Sequence, residues 1–145
     1  MSSTQDLAVS NFHGGFNCAQ AVCSVFSDKY GLDKETALKI SCGLGGGFRS
    51  GEVCGAVSGA ILVIGLKHGQ YITEDTATKA NCYDRTEEFI DLFTKKHGTI
   101  ICRELLGIDT SKGDGRKQAQ ERNLFRTICD VLVKDAVSIL EDMGY

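Results

Sequence analysis

The chain contains no proline among its 145 residues, although average usage would supply about 5%. Proline breaks helices more strongly than any other residue, because it lacks the backbone N–H and clashes with the preceding turn. No segment shows the alternation of apolar and polar residues that is typical of a half-buried strand. With 42% hydrophobic residues, a chain of this length can bury one full apolar core. The sequence therefore predicts one all-α domain over residues 1–145, a bundle of about six to seven helices.

Capping residues and glycines divide the chain into helical segments, because side chains such as Asn, Asp and Thr satisfy the free N–H groups at a helix start. The predicted N-caps are Asn17, Asp33, Thr73 and Thr99, and the predicted stops are Gly31 and Gly98. The segments so delimited are about 4–12, 17–30, 33–42, 52–68, 73–97, a short helix after residue 99, and a final helix that follows a loop over 109–117.

Charge and hydropathy exclude several functional classes. The formal net charge is -3, so the chain lacks the broad positive field that nucleic-acid binding requires. The most apolar run, over 53–66, is shorter than the roughly 20 residues of a spanning helix, and it predicts a buried core helix without a membrane span. The N-terminus lacks the basic and apolar regions of a secretory leader, so we expect a cytoplasmic protein. Its seven cysteines would then be core residues, metal ligands or redox groups.

The glycine-rich segment 43–51 does not fit either common nucleotide-binding loop. A dinucleotide fingerprint would need glycine where Phe48 or Ser50 stands, and the segment follows a helix instead of a strand. A phosphate loop would need lysine where Glu52 stands, which has the wrong charge. What remains is a loop that enters a helix start, where backbone N–H groups and a cation can hold an anion. The candidate residues for such an anion or ligand loop are Gly45, Gly46, Gly47 and Arg49; the alternative is a tight helix connection.

Glycines recur every four residues at Gly51, Gly55 and Gly59. This spacing leaves one face of the fourth helix without side chains, so another helix can approach closely. Each glycine inside a helix costs about 1 kcal/mol relative to alanine, so close packing or a functional site must compensate.

Three cysteines are predicted in the first turns of separate helices: Cys18, Cys54 and Cys102. The positive end of a helix dipole lowers the pKa of a thiol and favours the nucleophilic thiolate. Cys18, Cys102 and Cys129 also share helix faces with apolar residues, so these thiols point inward and could converge. The alternative is that they only pack in the core, as buried cysteines commonly do. The cysteines and histidines do not have the spacing of a zinc-binding or haem-attachment motif, and no cofactor is predicted.

Several segments together resemble the C_GCAxxG_C_C family of redox-active proteins, over essentially the whole chain. They are NCAQAV at 17–22, VCGAVSGAILVIGLKHG at 53–69, CRELLGID at 102–109, and Cys129. The resemblance implies four characteristic cysteines, Cys18, Cys54, Cys102 and Cys129, with Gly55, Ala56 and Gly59 completing a CGAxxG motif. It leaves Cys23, Cys42 and Cys82 as core or surface thiols. It also implies a functional link to a transporter.

Thiol redox chemistry is the favoured function. In this interpretation Cys54 or Cys102 attacks a disulfide or an oxidant, and a second inward cysteine resolves the adduct as a disulfide. Cys18 and Cys129 either resolve or hold a second disulfide, and the pairing does not follow from the sequence. A redox partner protein is expected. One alternative is a metal or iron–sulfur module built from the same four cysteines. Another is a helical interaction protein, such as a homodimer, whose cysteines are structural.

Overall fold

The computed structural model describes all 145 residues and contains eight α-helices and no β-sheet. The all-α prediction is therefore confirmed, with one more helix than the upper predicted number. The helices are α1 (Ser3–His13), α2 (Cys18–Ser24), α3 (Lys34–Ser41), α4 (Gly55–His68), α5 (Thr76–His97), α6 (Cys102–Leu106), α7 (Gly115–Glu121) and α8 (Asp130–Asp142). The main core lies between α2, α4, α5 and α8, and a smaller apolar cluster joins α6 and α7 to the start of α8.

The close approach predicted from the glycine spacing occurs between α4 and α2. A Cβ on Gly59 would lie 2.6 Å from the carbonyl oxygen of Ala19, and one on Gly55 would lie 3.0 Å from the Ala19 backbone nitrogen. Real Cβ atoms essentially never come as close to a backbone atom as at Gly59, so only glycine allows this spacing there. Gly51 lies outside the helix, in a left-handed conformation with φ 68°. The glycines therefore set how closely the two central helices pack.

Helix starts agree with the sequence where a side chain caps the first turn. Asn17 accepts a hydrogen bond from the Gln20 N–H, and the Gln20 side chain accepts one from the Asn17 N–H, which makes a full capping box. Asp33 caps α3 through the Thr36 N–H. The predicted cap of α5, Thr73, is wrong, because the side chain that accepts from the Thr78 N–H belongs to Asp75, two residues further along the chain.

Three other boundaries differ from the prediction. Helix α2 ends at Ser24, and a separate 3-10 turn over Ser27–Tyr30 precedes the left-handed Gly31. Helix α4 begins at Gly55, three residues after the predicted start, because the residues before it form a left-handed turn and an isolated backbone bridge. The N-cap of α6 is Ile101; the Thr99 hydroxyl instead accepts from the Ile101 N–H before the helix begins.

Helix α7 begins where the sequence predicts a loop. Its first residue, Gly115, packs against the backbone carbonyl of Asp109, where a Cβ would overlap the oxygen. The N-cap Asp114 makes no capping bond to the backbone and instead accepts from the Gln118 side chain. A helix that begins at a glycine and lacks a capping hydrogen bond has no start signal in the sequence, so the sequence does not predict α7.

The apolar run of α4 is a buried core helix, as predicted, with eight of its residues buried, from Gly55 to Ile64. None of the helices has both the length and the apolar character required to cross a bilayer.

We expect Asn17→Ala to lower the free energy of unfolding by about 1 kcal/mol, because it removes the side-chain half of the capping box of α2. The substitution also removes the hydrogen bond from the Asn17 amide to the Cys42 carbonyl oxygen. Urea unfolding measures the effect. Glu87→Ala is the control: it removes an exposed side chain inside α5 that makes no hydrogen bond or ion pair, and it should change stability by less than about 0.5 kcal/mol. Equal effects of the two substitutions would contradict the capping assignment.

Candidate functional site

Four cysteines from four separate segments line one cavity of about 530 Å³. Cys18 and Cys102 are the first residues of α2 and α6, whereas Cys54 and Cys129 directly precede α4 and α8. The Cys54, Cys102 and Cys129 residues are nearly fully buried, and Cys18 is partly exposed. All four are reduced thiols without a disulfide. The structure therefore brings together, at one cavity, the four cysteines that the sequence singles out.

A short backbone bridge places Cys54 beside Cys102. Val53 and Ile101, the residues directly before them, form an isolated antiparallel bridge. The Cys54 N–H donates to the Ile100 carbonyl at 2.7 Å, and the Cys102 N–H donates to the Glu52 carbonyl. These hydrogen bonds lock the starts of α4 and α6 together, so the two thiols reach the cavity from adjacent positions.

Two glycines make room for the cysteines. A Cβ on Gly55 would lie 3.2 Å from the Cβ of Cys18, and a Cβ on Gly47 would lie 2.9 Å from the Cβ of Cys102. Gly47 is also left-handed, with φ 66°. Ala56, the next motif residue, is fully buried. The glycines near the site thus act by letting the cysteine-bearing helices approach.

The glycine-rich segment forms a left-handed turn at the edge of the cavity. Four consecutive residues, from Gly46 to Arg49, have φ between 57° and 66°. For Phe48 and Arg49 this conformation costs roughly 1–2 kcal/mol each, because their Cβ atoms crowd the following carbonyl. Strain of this kind persists only where the surroundings enforce it, and it concentrates at functional sites. The turn places the Arg49 guanidinium against Gly46, where a Cβ would lie 2.9 Å from Nη1.

The pKa values of the buried thiols are shifted in the direction opposite to the prediction. Burial raises the pKa of Cys54 to about 12 from its ordinary value of 9.0, although the N–H groups of Ala56 and Val57 favour its thiolate. Burial, aided by Cys129 and Asp109, raises the pKa of Cys102 to about 11. The expectation of lowered values is therefore wrong for these two cysteines, because desolvation of a buried thiolate outweighs the helix N–H groups.

Among its neighbours, Cys129 has the largest effect on the Cys18 thiol. Hydrogen bonding between the two side chains is the largest cause that raises the pKa of Cys18 well above its ordinary value, and burial is the second. Cys54 and Cys102 raise the pKa of Cys18 by smaller amounts. The Cys18 thiol therefore interacts with all three other cysteines of the cavity, and most strongly with Cys129.

A family model described as "Putative redox-active protein (C_GCAxxG_C_C)" matches residues 16–143 of the chain. The chain belongs to the C_GCAxxG_C_C family. The resemblance to this family that the sequence analysis gives is therefore confirmed, and redox activity is what the description of the family suggests. Neither the curated proteins nor the solved structures gave a match to the chain.

The candidate anion loop lies only partly at the cavity, and the three remaining cysteines of the chain lie outside it. Of the candidate anion loop, Gly46 and Arg49 line the cavity. Gly45 packs on the Asn17 side chain, where a Cβ would lie 2.6 Å from Cγ. The three cysteines that the family resemblance leaves aside do not line it: Cys23 is buried, Cys42 is exposed and Cys82 is partly buried.

Several cavity residues of this C_GCAxxG_C_C protein were not predicted from its sequence. They are contributed by the end of α1 and the loop after it, by α7 and the residues after it, and by the turn before α8: Phe12, Phe16, Arg116, Gln120, Asn123, Phe125 and Arg126. The spacing of Arg116, Gln120 and Asn123 fits one face of a helix and could have indicated a shared surface. The expected loop over 109–117 concealed that pattern.

The metal alternative receives no support from the side-chain arrangement. No group of three or more His, Cys, Asp or Glu side chains is positioned to hold one metal ion. The four cysteines share the cavity without forming such a group.

We expect the protein to lose stability as the pH rises above about 9. An unfolded thiol titrates near 9, whereas Cys54 and Cys102 in the folded state titrate at about 12 and 11, so the folded state binds more protons between these values. Each thiol should then lower the free energy of unfolding by up to about 1.4 kcal/mol per pH unit in this window. Urea unfolding with reductant at pH 8, 9 and 10 measures the slope.

The matched variants for this experiment are Cys54→Ala and Cys42→Ala. The first removes a buried thiol with a raised pKa and should flatten the decline with pH. The second removes an exposed thiol and should keep the wild-type slope. Identical slopes in both variants would show that the Cys54 thiol is not desolvated in the folded protein.

Proposed function

We propose that the protein carries out thiol–disulfide exchange in this cavity, with Cys18 and Cys129 as the pair that cycles between dithiol and disulfide. The substrate is a small disulfide. The two protein thiols give up two electrons and two protons, a protein disulfide forms, and the substrate S–S bond breaks to yield two thiols. In the reverse reaction the protein disulfide is reduced, and a small dithiol or two monothiols are oxidised.

The single observation that carries this proposal is that four cysteines from distant parts of the chain line one cavity, where Cys129 is the side chain that most affects the Cys18 thiol. Exchange requires a sulfur that can attack and a second sulfur that can reach the first. Cys18 and Cys129 lie far apart in the sequence, so the tertiary fold and not local spacing brings them to this cavity. The cavity supplies the room for a substrate that a packed core would exclude.

We assign the attack to Cys129. The assignment rests on the other three thiols of the cavity, because burial and neighbouring thiols raise the pKa values of Cys18, Cys54 and Cys102 and so leave them little thiolate at neutral pH. The Cys129 sulfur attacks the substrate disulfide and forms a mixed disulfide, and one substrate thiol leaves. Cys18 then attacks the Cys129 sulfur of the mixed disulfide, and the second substrate thiol leaves with the remaining electron pair and a proton.

Cys54 and Cys102 become the second dithiol of the site. Their raised pKa values, about 12 and 11, leave little thiolate at neutral pH, which weighs against the predicted role of either as the attacking group. They lie beside the first pair and can accept its disulfide by internal exchange, with the electrons passing from one dithiol to the other.

Thiol counting by intact mass tests the proposal. The reduced protein is treated with 2-hydroxyethyl disulfide, alkylated and weighed, and a sample is reduced again before alkylation. We expect the number of alkylated thiols to fall from seven to five and to return to seven after reduction. Zinc and iron are measured on the same sample. Seven reactive thiols after treatment, or stoichiometric metal with protected thiols, would overturn the proposal.

A further inference from the structure

Three arginines with no acidic partner face the cavity that holds the cysteines. Arg49 lies on the left-handed turn, Arg116 in the first turn of α7, and Arg126 in the turn before α8. None of the three forms an ion pair, and no Asp or Glu is among the residues that line the cavity. Elsewhere, Arg85 and Arg103 do pair with carboxylates. A positive cavity in a protein of net charge -3 is therefore a local feature.

The arrangement of the arginines leaves their N–H groups available to a ligand. Arg116 lies with its guanidinium carbon 5.5 Å from the centre of the Phe125 ring, so stacking supports the side chain without using its donors. Arg49 is folded against Gly46 by the strained turn. Uncharged polar side chains add further hydrogen-bonding groups: Thr110, Gln120 and Asn123.

The rest of the lining is apolar and sulfur-bearing. Phe12, Phe16, Leu105, Leu106 and Leu132 line the cavity together with the four cysteines. A volume of about 530 Å³ lies in the range of small-molecule sites and is far too small for a folded partner. A ligand that fits this lining has an apolar or sulfur-containing middle and anionic groups at its ends.

We infer that the cavity binds a small disulfide that carries at least two carboxylates. Its carboxylates pair with the guanidinium groups of Arg49, Arg116 and Arg126, and its S–S bond lies at Cys18 and Cys129. Guanidinium groups suit this role because they bind carboxylates through two parallel hydrogen bonds. The sulfur part of this inference rests on the proposed thiol–disulfide exchange, whereas the anion-binding part does not. The reaction balances as described above, with two carboxylate-bearing thiols as its products.

The anion-binding part is tested without redox chemistry. Suberate is an eight-carbon dicarboxylate with the chain length of 3,3′-dithiodipropionate but with no sulfur. We expect calorimetry to show that the reduced wild-type protein binds suberate at one site, and that n-octanol, which lacks the carboxylates, does not bind there. Absence of suberate binding to the wild-type protein would overturn the inference.

Arginine variants locate the site. Arg49→Gln, Arg116→Gln and Arg126→Gln should each weaken suberate binding about tenfold, because each removes a charge-assisted hydrogen-bonding group. Arg122→Gln is the matched control, since Arg122 is exposed at the end of α7 and does not line the cavity. Circular dichroism checks that all variants are folded. Equal binding by the three variants and by the control would overturn the inference.

Oxidation rates test the sulfur part. The reduced protein is treated separately with the dianion 3,3′-dithiodipropionate, neutral 2-hydroxyethyl disulfide and the dication cystamine. The rate of protein oxidation by each reagent is divided by the rate at which the same reagent oxidises free dithiothreitol. We expect the dianion to react at least about tenfold faster than the dication, although a net charge of -3 alone would favour the cation. The preference should vanish in Arg49→Gln/Arg126→Gln.

The two experiments separate the inference from the proposed function. Suberate binding together with failure of all three disulfides to oxidise the protein would retain the anion site and reject thiol–disulfide exchange. Oxidation by all three reagents at equal relative rates would retain exchange and reject the anionic substrate.

Discussion

Gly59→Ala is expected to lower the free energy of unfolding by about 2–3 kcal/mol, because the added methyl group would overlap the backbone of a neighbouring helix. The added Cβ would lie 2.6 Å from the Ala19 carbonyl oxygen and 3.0 Å from the Ala19 Cα. These are backbone atoms of a neighbouring helix, so no side-chain rotation can relieve the overlap. Helices α2 and α4 must separate, and Cys18, at the start of α2, moves with them.

Gly65→Ala is the matched control for this substitution. Gly65 lies in the same helix, and a Cβ there meets no atom within 4 Å. Alanine should therefore stabilise α4 by roughly 0.5–1 kcal/mol through its higher helix propensity. Urea unfolding of both variants gives the comparison. If Gly59→Ala is as stable as Gly65→Ala, the close packing of α2 on α4 is incorrect.

Cys129→Ser and Cys18→Ser are expected to abolish the reversible loss of two thiols when the protein meets a small disulfide. Cys129→Ser removes the attacking sulfur, so oxidation should slow by about 100-fold or more. Cys18→Ser removes the resolving sulfur, so the reaction should stop at a mixed disulfide, which adds to the protein the mass of one substrate thiol less two hydrogen atoms. Intact mass at timed intervals distinguishes the two outcomes.

Cys42→Ser is the control for both cysteine variants. Cys42 is exposed and does not line the cavity, so its replacement should leave the two-thiol cycle intact. A cycle that persists in both site variants but is lost in Cys42→Ser would place the chemistry at the surface. Stability is measured in parallel, because Cys129 is nearly buried while serine adds a more polar hydroxyl.

The sequence predicted the fold class and the helix ends where local chemistry determines them. Asn17 and Asp33 cap helices because their side chains reach N–H groups only three residues away. Gly98 ends α5 in the left-handed conformation, with φ 85°, that glycine adopts without strain. The glycine spacing also predicted close helix packing, because Gly55 and Gly59 lie on one helix face.

The remaining features depend on contacts between distant segments. The pKa values of Cys54 and Cys102 rise because the folded chain buries these thiols. Their positions at helix starts had predicted lowered pKa values instead. Arg116 and Arg126 join Arg49 only through the packing of α7 and α8, so no local motif marks them. The sequence identifies the four cysteines that line the cavity, but it does not predict that the cavity is positively charged.

The most direct test of the account is to identify the disulfide that forms first. The reduced protein is treated briefly with 2-hydroxyethyl disulfide, its remaining thiols are alkylated at low pH, and the digested protein is analysed by mass spectrometry. The account predicts a cross-link between the peptides that contain Cys18 and Cys129. A first disulfide that involves the exposed Cys42 or the partly buried Cys82 would contradict it, as would the absence of any intramolecular disulfide.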